Sequence, residues 1–411
     1  MKQNIFFLFF FSAFLLVLAQ SCKDDDNLND DLVAQFSLET LPDIPYPPDN
    51  PFMQERVDLG QLIFYDPILG GEKNSSCAAC HHPEFAFADG RQFGAGTSGV
   101  GLGPDRMLSV SNITGLPIDE EPRNSPTVFN TAFNLDANGN LTHLGFQFLD
   151  GRVEGLEVQA TKPIGSRVEM RGDAYEEEAA LDTVIARLRA IPEYVQLFET
   201  AFPDETPGQG IINEDTYGRA IAAFERELVT RNSPYDRFVN GEKDALSDAQ
   251  INGLKLFFGK AKCSSCHNGP MFNDYKFTIN GVPQEGGGKA VIPGDDTGRE
   301  EHTGDPADRY AFRNLTLRNI ELTAPYMHDG VFKTLKEVVQ FYNNGCQPRH
   351  PQISDSMMDP ALTTPLNLTD GEIDDLVAFI KALTDNGSLL PQKLMSVPDR
   401  VPSGLTPVFG N

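Results

Sequence analysis

No tryptophan occurs among the 411 residues, so no indole is available for stacking or for carrying an oxidising equivalent. Basic side chains are also few: 33 Lys and Arg stand against 59 Asp and Glu, a formal charge of −26. That field makes nucleic acid and anionic lipid poor partners and steers a basic redox protein toward the surface. Long apolar runs are missing as well. The one at residues 5–19 is shorter than the ~20 residues a membrane span needs. Cysteine appears 6 times and histidine 7 times, and most of that cysteine is committed to two short strings.

Those strings are Cys77-Ala78-Ala79-Cys80-His81 and Cys263-Ser264-Ser265-Cys266-His267. Each sets two thiols within one turn, so that both add to the vinyl groups of a single haem, and the following His offers a ring nitrogen to iron. At this composition about 0.0015 such strings arise by chance. A zinc site would need a further Cys or His pair at short spacing, yet the remaining cysteines are Cys22 and the distant Cys346. A redox dithiol needs no His and belongs beside a βαβ pattern. The chain reads as a dihaem c-type cytochrome, with Cys77, Cys80 and His81 holding one haem c and Cys263, Cys266 and His267 the other. Cys346 has no partner left and is expected to be a bystander thiol.

Covalent haem requires export. Lys2, the apolar run and Ala19-Gln20-Ser21-Cys22 resemble a lipoprotein signal, which predicts cleavage of residues 1–21 and a lipid anchor at Cys22. The acidic run Lys23-Asp24-Asp25-Asp26 opens a tether over residues 22–48, and the protein is expected in the periplasm or at the cell surface. The membrane is met through the lipid only.

So long a mature chain exceeds one core. Leu59-Gly60-Gln61-Leu62-Ile63-Phe64-Tyr65 before the first string echoes Gly253-Leu254-Lys255-Leu256-Phe257-Phe258 before the second, each an amphipathic helix leading into a haem turn. Capping boxes begin helices at Ser247 with Gln250 and at Thr369 with Glu372. Helical spacing recurs in Leu181, Val184, Ile185 and Leu188, in Ile221, Phe224 and Leu228, and in Ile373, Leu376, Val377 and Ile380. Residues 94–112 and 281–308 read as loops. The expected fold is all-α: cytochrome c-like domains at residues 49–174 and 243–411, joined by a helical linker at 175–242.

Several further segments resemble the bacterial dihaem cytochrome c peroxidase and MauG family over nearly the whole mature chain. They are Arg123-Asn124-Ser125-Pro126-Thr127-Val128-Phe129-Asn130, Asp150-Gly151-Arg152, Gln159-Ala160, Val168-Glu169-Met170, and Leu317-Arg318-Asn319-Ile320 running into Leu322-Thr323-Ala324-Pro325-Tyr326-Met327-His328-Asp329-Gly330. The resemblance implies a hydrogen peroxide-dependent enzyme whose N-terminal haem is the peroxide site and whose C-terminal haem relays electrons. Gln159, Pro163 and Glu169 are implied to line the open face of the first haem, with Glu169 as the acid/base that a peroxidase needs.

Typical peroxidases of the family carry a capping His between the first string and the Arg-Asn-Ser-Pro segment, whereas residues 83–123 contain none. The first iron is therefore expected to be open without reductive activation, as in the MauG-like branch. His82 lies too close to His81 to reach the other face of that iron. On the second haem, family members place Met or Tyr at the end of the helix after the His-Asp-Gly segment, which here is Tyr342; a core Tyr342 with Met357 or Met358 as ligand is the alternative. A calcium ion between the haems is implied at Asn124, Thr323 and Pro325. One departure stands out: Leu149 occupies the place of a Trp that usually helps the haems share oxidising equivalents. The donor is expected to be a small redox protein, as for a cytochrome c peroxidase, or a side chain of a protein substrate, as for MauG; a non-catalytic electron carrier is the third reading.

Overall fold

Each haem string is preceded by a helix with a glycine where a second helix crosses it. The two are Gln54–Tyr65 and Asp248–Phe258, in a computed structural model that describes residues 31–284 and 295–407. A Cβ on Gly60 would lie 1.9 Å from the Ala220 carbonyl oxygen, and one on Gly253 would lie 2.0 Å from that of Asp375. Helices Glu214–Glu227 and Asp370–Lys381 can therefore close directly onto the backbone. The repeat visible in the sequence is thus a packing repeat.

The cores repeat as well. Phe64, Phe87 and Phe224 meet at ring separations of 5.2–6.3 Å, and Phe257, Phe272 and Phe379 at 5.2–6.1 Å. All six are fully buried, and each contributes about 1.5–3 kcal/mol by leaving water. Helix starts follow the expected caps: Ser247 Oγ accepts from the Gln250 amide and Thr369 Oγ1 from that of Glu372.

The first core runs from Val57 to Leu228 and also takes in Leu394 and Val401. Helices Ala180–Arg189, Pro192–Ala201 and Glu214–Glu227 all pack into it. Most of the stretch expected to bridge two domains is therefore built into the first core, through Val184, Leu188, Phe198 and Ile221. The tail returns to it too, where Gln61 Nε2 donates to the carbonyls of Lys393 and Ser396. The second core gathers Leu32 and Leu38 with residues 235–383. Inside it Arg318 and Asp236, both about 1% exposed, form a two-pronged ion pair at 2.9 Å.

Strand is confined, among the described residues, to two antiparallel pairs, Phe146–Gln147 with Val153–Glu154 and Phe277–Thr278 with Phe312–Arg313. The structure is mostly helical, as expected. No helix among the described residues is long and apolar enough to cross a membrane. The expected signal peptide, Cys22 and the acidic run Lys23-Asp24-Asp25-Asp26 fall outside the described residues.

Candidate active site

Both strings form a single 3-10 turn, Cys77–Ala79 and Cys263–Ser265, that folds the following His back beneath the thiols. His81 Nδ1 lies 3.1 Å from the Phe87 carbonyl oxygen, and His267 Nδ1 lies 3.0 Å from that of Phe272. Phe87 and Phe272 hold left-handed backbones, φ 54° and 50°, which turn those carbonyls toward the rings. An Nδ1–H donated to a carbonyl leaves Nε2 with a free lone pair, the arrangement of an iron-ligating imidazole. Burial lowers the pKa of both rings and keeps them neutral. None of the four thiols is in a disulfide.

A continuous cavity of about 420 Å³ runs from Cys77, Cys80 and His81 to His267 and Tyr342. Its wall includes Arg313, whose Nε donates to the Phe148 carbonyl and whose pKa burial pulls down to about 10. The nearby carboxylate, Asp150, is already bound by Arg123 and Arg152. Arg313 is half-buried; a desolvated guanidinium without its own anion is costly, and the carboxylates of a bound haem would relieve it. Neutral imidazoles, free thiols and cationic wall together fit haem.

Gln159 ends the Leu156–Gln159 helix, Pro163 opens the Pro163–Gly165 turn, and Glu169 sits in the π-helical turn Arg167–Arg171. All three line the cavity with Cys77, Cys80 and His81. The Glu169 amide donates to Ser166 Oγ at 3.3 Å. Loop residues 94–106 close over this turn. A Cβ on Gly96 would come within 2.7 Å of Glu169 Cα, and the Arg106 guanidinium holds the loop through the carbonyls of Ala95, Gly96 and Gly101. His82 is buried in the turn, accepting from the Glu84 amide at 3.3 Å.

Tyr342, near the end of helix Leu335–Asn343, lines the cavity along with His267, whereas Met357 and Met358 are not part of that wall. Met358 Sδ lies 3.3 Å from Arg349 Nη1. Burial pushes the Tyr342 phenol pKa up. Asn124, Thr323 and Pro325 also reach the cavity, and the Asn124 amide donates to the His328 carbonyl at 2.7 Å. Among the described residues no cluster of three or more His, Cys, Asp or Glu could hold a metal ion. Leu149 lines the wall where the indole is missing. Cys346 is buried in the cluster that holds Phe341 and Met358, against which Tyr342 packs, and does not itself line the cavity.

Four wall residues escaped the sequence reading as site groups. Met327 offers a thioether near Asn280 Nδ2, at 4.0 Å. Arg313 offers a cation. His328 stacks on Phe312 at 3.9 Å with its Nε2 unpartnered, and burial lowers its pKa to about 4. Glu225 presents a carboxyl from helix Glu214–Glu227. The last lay in a recognised helix, but period alone does not say that its polar position faces inward.

A family model described as di-haem cytochrome c peroxidase matches residues 54–244. The chain is 34% identical to cytochrome-c peroxidase IdrP1 of Pseudomonas sp. (strain SCT), across 87% of this chain and 88% of that protein. It belongs to the dihaem cytochrome c peroxidase and MauG family. Methylamine utilization protein MauG of Methylorubrum extorquens is likewise 34% identical, over 87% and 86% of the two chains. The crystal structure of a MauG-like protein associated with microbial copper homeostasis superposes with a TM-score of 0.69 at 31% identity, covering 88% of this chain and 98% of that one. The protein is accordingly an oxidoreductase of a hydrogen peroxide-using family and a carrier of two c-type haems.

Proposed function

We propose that this family member reduces hydrogen peroxide at its N-terminal haem, with electrons relayed through the C-terminal haem from a small redox protein. The observation that carries the proposal is the shared wall: Gln159, Pro163 and Glu169 face the same cavity as His81, and residues 83–123 offer no His to close it. When bound, the haems supply the iron at which the O–O bond is broken and the stored electrons that reduce it. Glu169 takes a proton from the incoming peroxide and returns it to the departing oxygen. Gln159 orients the peroxide by hydrogen bonding, and Pro163 and Met170 keep that face apolar and exclude bulk water.

Tyr342 favours a second reading, a MauG-like oxidation of a protein side chain, because an anionic oxygen ligand lowers a haem potential and a thioether raises it. The wall position of Tyr342 supports it as ligand over Met357 and Met358. We further assign Asn124, Thr323 and Pro325 to a calcium ion, the two halves to cytochrome c-like units, and Cys22 to a lipid anchor on the periplasmic or outer side. The test is to mix the diferric protein with peroxide and then with candidate donors while recording its absorption. Peroxide consumption and donor-dependent recovery are expected; a protein whose ferric spectrum lacks a high-spin component and ignores peroxide is a carrier instead.

A further inference from the structure

We infer that Glu225 is a second acid of the peroxide site, supplying a proton that Glu169 cannot; this rests on the function proposed above. Glu225 lies one turn beyond Ile221 on helix Glu214–Glu227, and both side chains line the cavity that holds Cys77, Gln159 and Glu169. The residue is 7% exposed, and its carboxyl has no hydrogen-bond or ion-pair partner among the described residues. Its neighbour Arg226 is bound to Glu157 at 2.8 Å and so does not neutralise it.

The groups around Glu225 are mostly acids or neutral. Arg226 and Tyr217 stand on its own helix, Glu157 on the helix packed against it, and Cys77 and Glu169 across the cavity. Burial dominates and the charge of Glu157 adds to it, outweighing Arg226; the carboxyl pKa is pushed to about 8 and the group is protonated at neutral pH. A buried acid with no protein partner is unfavourable for stability, and packing alone would be served by an amide or an apolar side chain of similar volume. Such groups concentrate where proton transfer is needed.

Reducing one hydrogen peroxide to two waters takes up two electrons and two protons. Glu169 moves a proton between the two peroxide oxygens and adds none. In the inferred step the Glu225 O–H bond breaks and its proton goes to the peroxide oxygen that becomes the second water; once reprotonated from solvent, Glu225 delivers the second proton to the same oxygen. The electrons come from the donor, and the carboxylate regains a proton from solvent.

The experiment compares wild type, Glu225→Gln and Glu225→Asp as dihaem holoproteins. Infrared difference spectra at pH 7 in H2O and D2O should show a carboxylic acid C=O band in wild type that shifts in D2O and is missing from Glu225→Gln. Wild-type turnover should decline as pH rises through about 8; that of Glu225→Gln should be about tenfold or more lower and lack this decline, while Glu225→Asp should restore most of both. Absence of that band from wild type at pH 7, or wild-type turnover and pH profile in Glu225→Gln, would overturn the inference. Wild-type holoprotein that consumes no peroxide would overturn the proposed function as well, and that result appears before any variant is made.

Discussion

Replacing Arg123 by Met should destabilise the protein by roughly 3–5 kcal/mol at neutral pH, the usual cost of stranding a buried carboxylate. Arg123 reaches Asp296 with Nε at 2.6 Å and Nη2 at 2.8 Å, and Asp150 with Nη1 at 2.6 Å; all three side chains are buried. The two carboxylates do not lose equally. Asp150 keeps Arg152 at 2.8 Å, whereas the hydrogen bond that Asp296 keeps among the described residues is from the Gly298 amide, at 2.8 Å. Most of the loss therefore falls on Asp296, and thermal unfolding followed by circular dichroism should drop by on the order of 10 °C.

The pH dependence tests the cause. Burial pushes both carboxyls up, but Arg123, joined at Asp150 by Arg152, outweighs it and holds them below the usual carboxylate range. In wild type their contribution is present above the unfolded pKa of ~3.9 and disappears as pH falls through the folded value. Without Arg123, burial is opposed at Asp296 only by weaker groups such as His328 and the Gly298 amide, and it lifts the pKa above the unfolded one. The sign then reverses, and the variant loses stability as pH rises, so its deficit should be larger at pH 7 than at pH 4.5. Arg123→Lys keeps the charge but not the fork and should fall between. A deficit below 2 °C at pH 7, or one that grows toward acid, would refute the reasoning.

Cys77→Ala with Cys80→Ala should leave one haem and no peroxidase activity, and a pyridine-haem assay that still finds two would sink the attachment assignment. Glu169→Gln should keep both haems yet slow peroxide cleavage by roughly 10²-fold or more, since an amide of the same shape cannot relay the proton; an unchanged stopped-flow rate removes Glu169 from the mechanism. Tyr342→Met should raise the potential of the second haem by exchanging an anionic oxygen for a neutral thioether. If potentiometry finds that haem unmoved while Met327→Ala, Met357→Ala or Met358→Ala shifts it, the ligand is a Met.

What could be read from the chain was local. The two strings, the capped helices at Ser247 and Thr369 and the glycine-bearing helices at Gly60 and Gly253 all announce themselves within a dozen residues. What could not be read depends on distant contacts. The carbonyls that orient His81 and His267 come from phenylalanines in left-handed turns, a conformation that usually signals Gly or Asn. Helix Ala180–Arg189 has the same period whether it bridges two domains or packs into one, and its place in the cluster that also holds Ile164 and Met170 has no local signature. The return of the tail to Gln61 spans more than 330 residues and leaves no mark in composition.

The two halves share an attachment turn, a Phe carbonyl on the His, a trio of phenylalanines and a glycine crossing, so none of these can make the haems different. The difference must lie in the walls that face the irons. The wall shared with His81 carries the carboxyls of Glu169 and Glu225, which in the proposed function move protons, and the amide of Gln159, which orients peroxide; the wall shared with His267 carries Tyr342 and Met327, the proposed candidates for an iron ligand. On the proposed function, a cavity with proton-handling side chains on one wall and candidate ligands on the other would divide peroxide chemistry from electron supply without any change to the attachment motif. Substitutions in the walls should therefore alter rate and potential while leaving haem content intact, whereas substitutions in the shared core should lower haem content itself.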